Sequence, residues 1–149
     1  MALWLVFAAI GFIWLLISGR NALSKVTNIA TYASRAGWTG EDLVTAVAIA
    51  WAESSGDPNA RGDETTPGDP STATSYGLWQ IHWTVHPEAY QPEDDPTVLF
   101  EPQRNAIEAF RIYTRAGRTF RDWSTFDPRN GSTPRYLSYL DKARQEVSA

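Results

Sequence analysis

The sequence predicts a mainly α-helical domain with a long loop or small hairpin, preceded by one hydrophobic N-terminal helix. Three observations point there. Apolar residues recur at helical spacing in several separate runs. One run, Leu43 to Ala52 (LVTAVAIAWA), is apolar almost all round. Residues 56–74 (GDPNARGDETTPGDPSTAT) instead carry turn formers throughout. The 149 residues suit one domain, with residues 1–20 as a transmembrane or anchor helix and 21–149 as the folded unit.

The N-terminal element comes first. Ala2 to Ile17 holds no charged or polar side chain, and as a helix Met1 to Ser18 reaches about 27 Å at about 1.5 Å per residue. That is the short end of a membrane span. A cleaved signal peptide fits less well, because no Lys or Arg precedes Arg20 and LLISGRNALS has no A-x-A site. A helix buried in a protein assembly is the third alternative. Arg20 and Lys25 after the span give only a thin orientation bias. The expectation is a single-pass anchor through residues 2–17, with the domain facing the cell wall or belonging to a virion.

The folded unit opens with Leu23, Val26, Ile29, Ala30 and Ala33 on one helical face, stopped by Gly37. Thr39 stands where an N-cap would, with Asp42 three residues on as a short capping box. The greasy run Leu43–Ala52 predicts a central buried helix, ended by Gly56 and Pro58. A loop as long as 56–74 is uncommon in a compact domain and is usually functional. The island YGLWQI and a Pro-rich connection from His86 to Pro96 follow. Pro102 then suits the first turn of a helix turning Ala106, Ile107, Phe110 and Tyr113 inward as far as Gly117. Thr119 is placed to cap a short helix bearing Phe120 and Trp123. A last helix opening at Ser132-Thr133-Pro134 carries Tyr136, Leu137, Leu140 and Ala143.

Composition removes several function classes. There is no cysteine, so disulfides, thiol catalysis and Cys-ligated zinc are out. A formal charge of -4 argues against nucleic acid as the main partner. Asp57-x-Asn59-x-Arg61-Gly62 begins like a calcium loop, but Arg61 occupies a ligand position and Gly68 stands where a bidentate Glu belongs. His82 and His86 are four apart, yet no zinc-protease Glu lies between them and Pro87 follows at once. They read as cleft-edge or surface residues. Arg104, Arg111, Arg115, Arg118 and Arg121 alternate with Glu101, Glu108 and Asp122 and read as a solvated helix face. No metal or organic cofactor is expected.

Glu53 is the residue with chemical potential. It leaves the most apolar helix just before that helix ends. Poor solvation there favours the neutral carboxyl. A carboxylic acid kept protonated near neutral pH can protonate a glycosidic oxygen. Glu53 lies in A-W-A-E-S-S-G-D-P-N-A, and Ser75-Tyr76-Gly77-Leu78-Trp79-Gln80-Ile81 begins 22 residues later.

Those two segments, in that order and at that spacing, resemble the lysozyme-like superfamily. The likeness is to soluble lytic transglycosylase domains and the related lysozyme domains of phage tail and virion proteins. It runs from about Val44 to Tyr113 and more faintly to Tyr139. The resemblance implies that Glu53 is the catalytic acid/base and that Ser54 sits beside it on the substrate side. It implies that Ser75 offers a hydroxyl near Glu53 or a sugar N-acetyl group. Gly77 would let the backbone approach the glycan, and Gln80 would face the cleft. Tyr76 and Trp79 would pack on sugar faces or in the core, and Asn59 would hold a turn.

The implied substrate is the peptidoglycan glycan strand, cut at the β-1,4 bond between N-acetylmuramic acid and N-acetylglucosamine, with virion or tail proteins as possible assembly partners. In a transglycosylase the muramic acid's own 6-hydroxyl closes a 1,6-anhydro ring, and no second carboxylate is needed. A hydrolase would recruit one from Asp57, Asp63, Glu64 or Asp69, all of which also suit turns. One departure stands out. The family's third motif, Ala-Tyr-Asn-(Ala)-Gly, brings a Tyr to the catalytic Glu, whereas this chain has Arg121-Asp122-Trp123-Ser124-Thr125-Phe126. Tyr136 or Tyr139 could substitute. The departure also leaves open an alternative, a non-catalytic structural or glycan-binding protein on the same fold.

Overall fold

The computed structural model describes residues 28–86 and 95–149. The expected anchor at residues 2–17, and Leu23 and Val26 of the first helical face, lie outside them. No helix among the described residues is long and apolar enough to cross a membrane.

Four α-helices dominate: α1 (Ile29–Ala36), α2 (Gly40–Ser54), α3 (Pro102–Arg115) and α4 (Leu140–Val147). Between α2 and α3 lies a small antiparallel sheet of two-residue strands, β1 (Arg61–Gly62), β2 (Ser75–Tyr76) and β3 (Ile81–His82), in the order β1-β2-β3. The chain is thus mainly α; β1 falls inside the predicted loop 56–74, while β2 and β3 follow it.

α2 is the core. Ala46, Val47, Ala48, Ile49 and Ala50 are wholly buried, as expected of a helix with no polar face. α1, α4 and the 3-10 turn Arg135–Tyr139 pack around it. Asn28 caps α1 by accepting from the Thr31 amide at 2.9 Å. Glu101 caps α3 through the Gln103 and Arg104 amides, ahead of Pro102 in the first turn. The expected capping box at Thr39 is not formed. The Thr39 side chain makes no cap bond, and Asp42 is taken by the Tyr113 hydroxyl at 2.5 Å.

Trp79 and Asn105 tie α2, the sheet and α3 together. The Trp79 indole donates to the Ala46 carbonyl at 3.0 Å, and its backbone amide donates to Asn105 Oδ1 at 2.9 Å. Asn105 Nδ2 donates to the Tyr76 and Leu99 carbonyls at 3.0 and 2.9 Å. Asn105 is fully buried, so this amide satisfies backbone groups that water does not reach. Trp38 stacks on Trp79 at 5.5 Å between ring centroids and meets Phe110 edge-on at 5.1 Å.

Four expectations need correction. The buried face of α3 is Asn105, Ala106, Glu108, Ala109, Ile112 and Tyr113, so Ile107 and Phe110 are only half-buried. The face is rotated because Asn105 and Glu108 both have polar work inside. Glu108 receives Arg104 Nε and Arg111 Nη1 at 2.8 Å each, so part of the basic set clamps a buried carboxylate rather than facing solvent alone. Residues 119–126 form turns, not a helix. Phe120 and Trp123 are buried nonetheless, with Trp123 Nε1 donating to the Trp79 carbonyl at 2.8 Å. Leu137, expected inside, is exposed on the 3-10 turn.

Gly77 has φ +78°, and a Cβ there would stand 2.2 Å from the Leu99 carbonyl oxygen and 2.3 Å from Asn105 Nδ2. Its bareness serves the core clamp. Asn105→Ala strands one amide and two carbonyls, so urea unfolding should show a loss of about 3–5 kcal/mol. Gly77→Ala should fall in the same range, and a loss under about 1 kcal/mol in both would contradict the clamp.

Candidate active site

A cleft of about 380 Å³ opens where the end of α2 meets the sheet, within the usual size range of ligand sites. Glu53 enters from the helix. Gly62, Asp63, Ser75, Gln80 and His82 come from the sheet side, and His86, Asp122, Ser124 and Arg129 from the other. Ile112 and Trp123, both nearly buried, also line it.

Local geometry decides which residues arrive. Successive helical residues point about 100° apart, so Glu53 and Ser54 cannot share a face. Glu53 takes the cleft. Ser54 turns inward, its hydroxyl donating to the Ala50 carbonyl at 2.9 Å and accepting from the Gly56 amide at 3.1 Å. α2 stops at Ser55 in the left-handed region, with Gly56 lying against the Trp51 ring.

Strand alternation sorts the sheet residues the same way. The register aligns Gly62 with Ser75 and Ser75 with His82, and this row lines the cleft. Tyr76 points to the other side, where its hydroxyl donates to the Ala73 carbonyl and its ring meets Phe100 edge-on at 5.8 Å. Trp79 is wholly buried. Gly77 and Tyr76 are not among the residues lining the cleft. Gln80 is, but its amide is already committed, donating to the Gly77 and Ala60 carbonyls at 2.8 and 3.1 Å. Gln80 Oε1 lies over Gly62, where a Cβ would come within 2.3 Å. Of the resemblance-derived set, Glu53, Ser75 and Gln80 meet in the cleft, while Ser54, Tyr76 and Gly77 serve the framework.

Glu53 is partly buried. Its Oε1 accepts the Thr125 hydroxyl at 2.6 Å. Desolvation raises its pKa above the usual 4.5 and outweighs the Thr125 hydrogen bond and the Arg135 charge, which pull it down; Asp63 adds to the rise. Thr125 therefore occupies the place beside Glu53 where a Tyr was sought. Tyr136 instead donates its backbone amide to the Thr125 carbonyl at 3.2 Å, and its ring lies tilted against Phe126. Arg135 Nη2 donates to the Ala52 carbonyl at 2.6 Å, one residue before Glu53.

The four loop acids separate. Asp57 accepts from the Asn59 amide, Glu64 from Gly68 and Asp69 from Ser71, each closing its own turn. Asp63 alone of the four lines the cleft. It sits in the left-handed region at φ 52° and accepts the Ser75 hydroxyl through Oδ2. His82 is held at both ring nitrogens, by Thr74 Oγ1 at 3.3 Å and Thr84 Oγ1 at 3.2 Å. Burial lowers the pKa of His86, with Asp122 opposing and Arg115 reinforcing. Among the described residues no three His, Cys, Asp or Glu side chains stand close enough to hold a metal ion.

Sequence reasoning did not single out Thr125 or Arg129, and it weighed Asp63 only with its neighbours. Nothing in a lone Thr marks it as a partner for a carboxyl 72 residues earlier. Only its place in the altered third motif could have drawn attention.

The chain matches the family model described as "Lysozyme like domain" over residues 30–125, well over half its length. No curated protein and no solved structure matches it. The matched span holds α1 to α3, the sheet, Glu53 and Thr125, and the chain belongs to the lysozyme-like domain family.

Proposed function

We propose that this protein is a peptidoglycan-cleaving enzyme acting on the β-1,4 bond between N-acetylmuramic acid and N-acetylglucosamine, by lytic transglycosylation with Glu53 as its one acid/base. Membership of the lysozyme-like family supports peptidoglycan as substrate and glycosidase or transglycosylase chemistry. The observation that carries the finer reading is the Glu53 carboxyl, desolvated in a polar cleft with one oxygen fixed by Thr125. With Oε1 accepting that hydroxyl, Oε2 would carry the proton toward the glycosidic oxygen.

Glu53 would protonate the glycosidic oxygen as the C1–O bond breaks, leaving an oxocarbenium-like muramyl C1. The resulting carboxylate would take the proton of the 6-hydroxyl as that oxygen bonds to C1. The products are a 1,6-anhydro-muramyl end and a free 4-hydroxyl, and Glu53 is protonated again. Arg135, charged and tied to the end of α2, would steady the carboxylate between the two steps.

Asp63 favours a second reading. A carboxylate lining the same cleft and held by Ser75 supports a hydrolase in which Asp63 would be the second acid. We further propose that residues 2–17 anchor the domain to a membrane, either facing the cell wall or in a virion.

Glu53→Gln should lower peptidoglycan cleavage by about 10³-fold or more. Mass spectrometry of products from the unaltered chain should show 1,6-anhydro ends, with Asp63→Asn leaving their identity unchanged. Ordinary reducing ends, together with a loss of about 10²-fold or more in Asp63→Asn, would establish the hydrolase instead. Absence of cleavage by the unaltered chain would leave a non-catalytic glycan binder.

A stability signature accompanies the raised Glu53 pKa. The folded state holds this proton more tightly than the unfolded chain, so its contribution is full at acidic pH and is lost as pH rises through and above 4.5. Glu53→Gln should therefore melt higher than the unaltered chain at pH 7, and the gain should vanish near pH 4. A gain of equal size at both pH values would contradict the desolvated carboxyl.

For topology, Ser148→Cys offers a lone thiol in a chain with no cysteine. It should label with membrane-impermeant maleimide on intact cells. Labelling only after lysis would reject a wall-facing domain.

A further inference from the structure

A second cavity of about 350 Å³ adjoins the cleft, sharing Ser124 and Arg129 with it. Pro128, Asn130, Ser132, Thr133 and Arg135 complete its wall. The two cavities differ in charge. The cleft presents Glu53, Asp63 and Asp122, whereas the second is lined by two guanidinium groups and no carboxylate. Arg135 is pinned to the Ala52 carbonyl. Arg129 is exposed and forms no ion pair or hydrogen bond among the described residues. It stands at the shared wall.

A neutral sugar chain suits an acidic cleft, but peptidoglycan is not neutral. Each muramic acid can bear a short peptide with free carboxylates, and these would be repelled by the cleft acids unless drawn elsewhere. We propose that the Arg129–Arg135 cavity is a subsite for the carboxylates of this stem peptide, with Arg129 as the residue that selects peptide-bearing strands. The proposal rests on the peptidoglycan reading above. The planar donor fork of an arginine matches a carboxylate in two parallel hydrogen bonds. A cavity of this size also exceeds what a lactyl group on the sugar would fill, which favours the peptide over the lactyl carboxylate as the occupant.

Binding separates this from catalysis. The 149-residue chain with Glu53→Gln, and the same chain with Arg129→Ala added, would be titrated calorimetrically with three glycans. These are muramyl-peptide oligomers, the same oligomers stripped by an amidase to free lactyl carboxylates, and uncharged chitin oligomers. The peptide-bearing oligomers should bind about tenfold more tightly than the stripped ones, and the preference should vanish with Arg129→Ala and partly return with Arg129→Lys. Equal binding of peptide-bearing and stripped oligomers would overturn the proposal, whether or not chitin binds more weakly. So would a preference that survives Arg129→Ala. An intact, Arg129-dependent preference in a chain whose Glu53 form cleaves none of them would uphold the subsite while rejecting the enzymatic reading.

Discussion

The buried Asn105 side chain is the constraint on which the rest of the structure rests. A tight turn between β2 and β3 sits inside the protein, and its backbone groups have no water to bond. One amide from α3 answers for two of them, at Trp79 and Tyr76, and for the Leu99 carbonyl of the 3-10 turn Pro96–Phe100. Because the turn is fixed to α3, Trp79 can place its indole against α2 at Ala46. Because Trp79 is fixed, its carbonyl can receive Trp123. Thr125, two residues on, then meets Glu53. The cleft is thus assembled through a relay of directional bonds between elements far apart in sequence.

How much of this could be read from the chain depends on how local the physics is. The nearly all-apolar run of α2, Pro102 in the first turn of α3 and the turn-rich character of 56–74 are local, and they hold. Glu53 leaving an apolar helix with a raised pKa also follows from its immediate neighbours. The sorting of neighbours was legible too, though it was not used. Adjacent residues on a helix end or a strand face different ways, so Ser54 could not join Glu53, nor Tyr76 join Ser75. What was not legible is long-range. The inward turn of Asn105 and Glu108 breaks the apolar periodicity of α3 and has meaning only through Trp79, Arg104 and Arg111. The non-helical course of 119–126 likewise follows from the bond to Trp79, since local spacing alone favoured a helix there.

The site joins two demands that pull in different directions. Under the proposed function its acid would have to be dry enough to keep a proton, while the glycan it would cut is a hydrated, hydroxyl-rich polymer. The sheet side resolves this by committing its polar groups to one another before any ligand arrives. Ser75 is engaged with Asp63, His82 with two threonines and Gln80 with two carbonyls. Such a wall is polar yet ordered, and its dipoles need little rearrangement as charge develops nearby.

Helix α2 also acts as an electrical element. Its peptide dipoles leave the first turn partly positive and the last turn partly negative. Glu41 and Asp42 occupy the first turn, where a negative charge is welcome, whereas Glu53 occupies the last, where it is not. One helix therefore carries two acids where its dipole favours negative charge and a third where the dipole opposes it. The backbone field acts in the same direction as the desolvation that chiefly raises the Glu53 pKa, and no single side-chain substitution along α2 removes it. Shortening or extending the helix by a turn would change the local field at this acid even if every cleft side chain kept its place.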